Sequence, residues 1–400
     1  MSWCRRWWLV ATGLVLATGA VASDPPLQAV ARRIVGGEQG VYAHAEDGRV
    51  LAAVAASRPV HPASVSKIAT TLALLRDLGP DHRFTTRLAV TGAVHAGRAD
   101  GDLVILGEGD AFLVAEHAYA MAAALHEAGV RRVGGRLRTD GPLLFDWRPD
   151  SDGRHLAAAL SGRAGLGPWN RLRAGRPDLA SSTLSDVAIV FDGGGAAVAA
   201  PRVLVEHRSP TLRQVVKALN GYSNNVFHLL ADAIGGPPRV EAVARSTVPA
   251  SQGGEIRLEN GAGAGTTNRL SPRAAVAIVD ALAAELARHD LDLTDVLPVS
   301  GIDPGTLQER LDDGGLRGAV VGKTGTYGSL GACALAGVVA TQRWGRVTFA
   351  VLNRDVAVPE ARRRQDAFVR ALVAEGGIGT LGYEPDSTSP VMLAETRVVR

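Results

Sequence analysis

A serine and a lysine stand three residues apart in the segment Pro62-Ala63-Ser64-Val65-Ser66-Lys67. A serine hydroxyl is a poor nucleophile at neutral pH and needs a base. A lysine kept neutral by burial or by neighbouring positive charge can serve. On a helix, positions 64 and 67 are neighbours on one face. A hydroxyl near a helix N-terminus also leaves backbone N–H groups available to an oxyanion. Ser223-Asn224-Asn225 offers a hydroxyl able to relay a proton and, two residues on, a carboxamide donor. Taken alone, an N-capping loop accounts for it equally well. Lys323-Thr324-Gly325-Thr326 puts a cation and hydroxyls on a predicted strand, where they can hold a carboxylate. Its glycine lets a ligand approach the backbone closely. A phosphate loop is excluded, because Gly318 and Gly322 are four apart where that motif needs five.

Lysine is scarce in this chain. Of 43 basic residues only three are lysines, Lys67, Lys217 and Lys323. Arginine holds a charge but does not give up its proton in a protein, so a lysine kept against this bias points to a need for an amine. Two of the three fall in the groupings above. The 43 basic residues oppose 40 acidic ones, a formal charge of +3. That excludes a strongly basic nucleic-acid binder and an acidic solvating tail as the main business of the chain. With 400 residues and 46% hydrophobic residues, a sizeable core and two or three domains are expected. The two cysteines, Cys4 and Cys333, exclude Cys-x-x-Cys metal sites, and His117 and His126 beside Glu116 and Glu127 do not form H-E-x-x-H.

These groups need elements to position them. Residues 1–22 read as a secretory signal, with Arg5 and Arg6 ahead of an apolar run and Ala20-Val21-Ala22 as the cleavage site. An exported protein, in the periplasm or on the outer side of the cytoplasmic membrane, is expected; an uncleaved anchor is the alternative. Residues 40–54 alternate around Glu46-Asp47-Gly48, a hairpin signal. A helix is predicted over 63–78, short strands over 84–106, a helix over 115–128 and a strand over 133–138. Residues 146–185 are less regular. Helices are predicted over 211–219 and 224–234, and Ser271-Pro272 is a good helix start. Residues 318–322, 332–339 and 346–352 read as closely spaced antiparallel strands, followed by a helix over 360–374. Strands at both ends with helices between fit an α+β core.

In this order, the three groupings resemble the elements of penicillin-binding proteins and serine β-lactamases. The wider text resembles the class C low-molecular-mass penicillin-binding proteins, the D-Ala-D-Ala carboxypeptidase/endopeptidase family of serine peptidases. The residues that carry this are His61 to Lys67 with Leu78-Gly79-Pro80 and Phe84-Thr85-Thr86, and Gly101-Asp102-Leu103 leading to Gly107-Glu108-Gly109-Asp110. Ser209-Pro210-Thr211-Leu212, Glu259-Asn260-Gly261, Leu297-Pro298-Val299-Ser300-Gly301, Gly305-Thr306-Leu307 and Arg310 also fit. The likeness spans roughly residues 36–355. It departs at 146–185, and only residues 68–222 separate the first two motifs, which suggests one inserted domain.

The resemblance implies an α+β fold, an antiparallel sheet flanked by helices as in penicillin-binding proteins and β-lactamases. The catalytic domain would comprise 24–80 and 200–376, with a smaller α+β domain, 81–199, inserted and 377–400 a C-terminal tail, loosely held from Thr380; no metal and no organic cofactor is implied. It implies that Ser64 is the nucleophile, Lys67 its base, Ser223 the proton relay and Asn225 the holder of the substrate amide. Lys323 and Thr324 would bind the terminal carboxylate, with Gly325 and Thr326 lining the same strand and the N–H groups of Ser64 and Thr326 forming the oxyanion hole. Substrates would be peptidoglycan stem peptides, and β-lactams would acylate Ser64. The alternatives are a serine β-lactamase-like hydrolase, for which only Glu259 suggests itself as an additional base, and a catalytically weak cell-wall binding protein.

Lys67→Arg keeps the charge but cannot accept the serine proton. Acylation by labelled penicillin should slow on the order of a hundredfold or more, the contribution of a general base. Near-normal acylation would show that the lysine acts only as a fixed charge.

Overall fold

The computed structural model describes residues 25–194, 200–222 and 226–400. The leader read at 1–22 and the grouping Ser223-Asn224-Asn225 lie outside the described residues. The frame begins with helix α1 (Pro25–Ile34), strands β1 (Gly40–His44) and β2 (Val50–Val54), and helix α2 (Lys67–Leu78). Strands β3 (Thr85–Val90) and β4 (Leu103–Gly107), helix α3 (Ala115–Glu127), and strands β5 (Leu137–Asp140) and β6 (Arg202–Arg208) follow. Helices α4 (Leu212–Gly221) and α5 (Pro272–Ala287) lead to β7 (Val320–Tyr327), β8 (Ala332–Thr341), β9 (Gly345–Asn353), helix α6 (Val358–Gly376) and β10 (Glu395–Val398).

The first sheet runs β7-β8-β9-β1-β2, every pair antiparallel. It joins the two ends of the chain, as the strand pattern predicted. The β1–β2 turn is set by Asp47, whose carboxylate accepts the Arg49 N–H. Every residue of β8 is buried, because helices cover both faces of the sheet. Its side chains alternate between two cores. Ala334, Ala336 and Val338 pack with Ile68, Leu72 and Val279 of α2 and α5. Leu335 and Val339 pack with Leu27 of α1 and Phe368 and Leu372 of α6. Each large side chain so buried contributes about 1.5–3 kcal/mol. The expected helix start at Ser271 is present, its hydroxyl accepting the Ala274 N–H.

The second sheet runs β10-β6-β3-β4-β5, and α3 packs on it through Met121 and Leu125. Here the structure corrects three expectations. β6 pairs with β3, so a boundary at 200 cuts a strand away from its sheet. The stretch 146–185 is largely helical, with helices Arg154–Leu160 and Leu166–Gly175. Its glycines Gly153 and Gly165 precede those helices, which is why the composition looked irregular. The tail is not loose. β10 pairs with β6, and the carbonyls of Val391 and Leu393 accept from His117 and Arg83. An unpaired edge strand needs a partner, and this one comes from far along the chain. Among the described residues no helix is long and apolar enough to cross a membrane.

A buried acid–base pair lies beneath the tail. Asp110 Oδ1 accepts the Phe112 N–H at 2.8 Å, while its Oδ2 and the Nε2 of His207 have no hydrogen-bond partner among the described residues and stand 4.0 Å apart. His207 Nδ1 lies 2.8 Å from Thr396 Oγ1 of β10, and the His117 ring packs 4.7 Å from the His207 ring. Burial pushes the Asp110 carboxyl up to about 7 and holds His207 well below the usual histidine range. A folded pKa above the unfolded value of 3.8 means that folding takes up a proton between about pH 4 and 7. Above that window the ionised carboxyl opposes folding in full. Asp110→Asn removes this term, so its melting temperature should gain on the wild type as pH rises from 4.5 to 8. A gap independent of pH in thermal melts would show that the carboxyl does not titrate there.

Candidate active site

Ser64 lies in a tight 3-10 turn, Ala63–Ser66, that runs directly into α2, so the predicted helix begins one turn late and Lys67 is its first residue. Ala63 adopts φ +47, uncommon for a residue with a Cβ. Its N–H donates to His61 Nδ1 at 3.1 Å, and His61 Nε2 donates to the Gly265 carbonyl at 2.8 Å. One ring nitrogen must therefore accept and the other donate, the pattern of a neutral imidazole. Burial lowers the His61 pKa in the same sense. His61 entered the sequence reading only as part of a segment; its role in holding the nucleophile turn depends on a loop some 200 residues away.

Lys67 is fully buried, with Nζ 2.7 Å from Ser64 Oγ and donating to the Ala262 carbonyl at 2.7 Å. No carboxylate pairs with it among the described residues. Desolvation, reinforced by the Lys323 cation, brings its pKa down to about 7. A substantial neutral fraction then exists at neutral pH, as a general base requires.

The Ala262 carbonyl belongs to a loop over 259–268 that the sequence marked only by Glu259-Asn260-Gly261. Asn260 Oδ1 accepts from the N–H groups of Ala262 and Ala264, and Gly261 O accepts from Thr70 Oγ1. Gly263 has φ +78, and a Cβ there would stand 2.1 Å from the Ala63 carbonyl, so the loop can lie on the nucleophile turn only with glycine. Glu259 accepts from the N–H and hydroxyl of Thr267, both at 2.9 Å, and these bonds hold its pKa low. It is a capping residue of the loop and a poor water-activating base.

β7 is the edge of the first sheet and runs past the Ser64 turn. A Cβ on Gly325 would lie 2.7 Å from the Pro62 carbonyl and 3.0 Å from the Ser64 nitrogen. That close approach puts strand backbone beside the Ser64 N–H, the arrangement two donors need to share an oxyanion. Lys323 is buried and donates to the Thr324 carbonyl at 3.0 Å; burial lowers its pKa to about 8. Thr324 Oγ1 lies 2.6 Å from Thr306 Oγ1, and exposed Thr326 accepts from Arg362 at 3.4 Å. Arg362 is an addition from tertiary structure, and Thr306, read in the sequence only as part of a segment, is placed against the strand by its contact with Thr324.

Ser223 and Asn225 fall outside the described residues. The helix before them is firmly fixed. Lys217 Nζ donates to the carbonyls of Thr294 and Leu297, both at 2.7 Å, and to Asp303 Oδ2 at 2.5 Å. Asn220 donates to Thr71 and Val296, and Gly221 O accepts the Thr306 N–H. The third lysine is thus a structural tie, held by two carbonyls and an ion pair with Asp303. Among the described residues no cluster of metal-ligating side chains is present.

The D-Ala-D-Ala carboxypeptidase 3 (S13) family matches residues 27–153 and 192–374. The chain belongs to this family and is a serine-type D-Ala-D-Ala carboxypeptidase, one of the class C low-molecular-mass penicillin-binding proteins. It is 28% identical to carboxypeptidase DacB of Mycolicibacterium smegmatis, covering 90% of this chain and 84% of that one. A carboxypeptidase of Mycobacterium tuberculosis is 29% identical over the same shares. Among solved structures, a penicillin G-acylated predatory endopeptidase of Bdellovibrio bacteriovorus superposes with a TM-score of 0.75 at 21% identity, covering 88% of this chain and 96% of that one. Penicillin-binding protein 4 of Haemophilus influenzae gives 0.62 at 18%, covering 87% and 98%.

The two lysine pKa values set a pH profile. Acylation needs Lys67 neutral, so it should rise through about pH 7; a requirement for charged Lys323 makes it fall through about pH 8. Removing the Lys323 cation favours protonated Lys67, so in Lys323→Gln the acid limb should move to higher pH. Stopped-flow acylation across pH 5.5–9.5 reads both limbs. An acid limb that stays in place would show that the lysines do not feel each other.

Proposed function

We propose that Ser64 attacks the carbonyl of a D-Ala-D-X bond in a peptidoglycan stem peptide and forms an acyl-enzyme. Neutral Lys67 takes the hydroxyl proton as the Oγ–carbon bond forms. The oxyanion rests on the N–H groups of Ser64 and Thr326. The tetrahedral species collapses with cleavage of the C–N bond, and Ser223 relays the proton to the departing amine while Asn225 holds the peptide amide. Water then hydrolyses the ester and regenerates Ser64. Lys323 and Thr324, with Gly325 and Thr326 on the same strand, hold the substrate's carboxylate end. The observation that carries this reading is the buried Lys67 amine, without a carboxylate partner among the described residues and 2.7 Å from Ser64 Oγ.

The same chemistry makes the enzyme penicillin-sensitive. A β-lactam amide acylates Ser64, and the acyl-enzyme persists where no further base activates water. Glu259 is engaged by Thr267, which argues against a β-lactamase. We place the enzyme outside the cytoplasmic membrane, exported by the leader at 1–22. The second sheet with its helices forms the inserted domain, and the body carrying Ser64 and Lys323 the catalytic one.

Labelled penicillin should attach to the peptide containing Ser64, and Ser64→Ala should lose labelling completely while keeping the wild-type melting temperature. The wild type should turn over a D-Ala-D-Ala peptide and be held as a long-lived acyl-enzyme, without sustained turnover, by a cephalosporin. Label on Ser66, or rapid steady cephalosporin hydrolysis, would overturn the assignment.

A further inference from the structure

Beyond helix α6 the chain turns back over the catalytic body, past the last residue that the family matches. There Tyr383 packs, half-buried, against the core around α2 and α5. Its hydroxyl donates to Asp303 Oδ1 at 2.7 Å. Burial and the Asp303 carboxylate push that hydroxyl above its usual range, so it stays a donor. Asp303 is buried and closes a turn. Its Oδ2 accepts the Val299 N–H at 2.8 Å and Lys217 Nζ at 2.5 Å, and its own N–H donates to the Val299 carbonyl at 3.1 Å.

The two ends of this turn grip β7 on either side of Lys323. Ahead of it, Val299 bridges Val321, and the Gly322 N–H donates to the Pro298 carbonyl at 3.1 Å. After it, Thr306 Oγ1 lies 2.6 Å from Thr324 Oγ1, while the Thr306 N–H donates to the Gly221 carbonyl at the end of α4. The first grip is made of backbone. The second rests on one pair of hydroxyls, so a small shift of the turn is felt first at Thr324. A buried carboxylate stripped of a donor must recover it from water or by moving.

We propose that Tyr383 is a positioning residue of the active site, which acts through Asp303 to hold Thr306 against Thr324. The inference rests on the reading of Ser64 as nucleophile and of Thr324 as a substrate contact. Lys217 fixes the same carboxylate from α4, and Tyr383 fixes it from the C-terminal segment. That segment is thereby part of what sets turnover, although it carries no group that meets the substrate.

The test is a double-mutant cycle in kcat/KM for a D-Ala-D-Ala peptide, with active sites counted by labelled penicillin. Tyr383→Phe keeps the ring beside Lys217 and removes only the hydroxyl. It should lose on the order of tenfold, the scale of a slightly misplaced contact. Thr306→Val should lose a similar factor, and adding Tyr383→Phe to it should cost nothing more. In a Thr306→Ser background, which keeps the hydroxyl, Tyr383→Phe should again cost about tenfold. Glu384→Ala, an exposed neighbour on the same segment, should match the wild type. A Tyr383→Phe enzyme that melts earlier but turns over normally per labelled site overturns the proposal, and so do losses that multiply in the double variant. If Tyr383→Phe does not fold, the strand end decides: Thr306→Val must lose the rate and Thr306→Ser must keep it, and equal rates overturn the link. All these results leave the acyl-enzyme reading intact. A wild type that cleaves no peptide and takes no label on Ser64 overturns that reading and this one with it.

Discussion

Two lysine amines are buried close together, and among the described residues no carboxylate pairs with either one. That placement is the constraint around which the rest is arranged. An isolated cation taken out of water is expensive, and the cheaper solution is to lose the proton. Desolvation draws both amines down toward neutral pH, and Lys323 lowers Lys67 further. Pairing either with aspartate or glutamate would stabilise the charged form and remove the base. The fold instead gives Lys67 a backbone carbonyl, that of Ala262, and gives Lys323 that of Thr324. A carbonyl orients an amine without fixing its protonation state.

The contrast with Lys217 makes the point. That lysine is also largely removed from water, but Asp303 and two carbonyls surround it and the Tyr383 ring lies 4.6 Å away. With a carboxylate partner it serves to tie α4, the loop before β7 and the C-terminal segment together. Three lysines in one chain thus have two different fates, decided by whether an acid stands beside the amine.

The site's precision comes from rigid neighbours. β7 is one edge of a sheet packed on both faces, and the nucleophile turn is pinned from the strand side at Gly325 and from the loop side at Gly263. The portions outside the family match tell a separate story. Met392 of the C-terminal segment packs on Gly175 and joins the cluster of Trp169 and Leu172, so two stretches that the family does not match lie against each other. The C-terminal one extends the second sheet through β10.

Much of the chemistry was legible in order along the chain. Ser64 and Lys67 are near in sequence, and a helical turn suffices to bring them together whatever the fold. The scarcity of lysine marked Lys67 and Lys323, alternation marked β1 and β2, and closely spaced short runs marked β8 and β9, because a strand's pattern is local. What sequence could not supply was any contact closed over long separations. His61 with Gly265, Thr306 with Thr324, Arg362 with Thr326 and β10 with β6 each join segments whose own patterns say nothing of the partner. The protonation of the two lysines belongs to that second group as well. A sequence can name an amine, but its pKa is set by the atoms packed around it, and those are chosen only when the chain has folded.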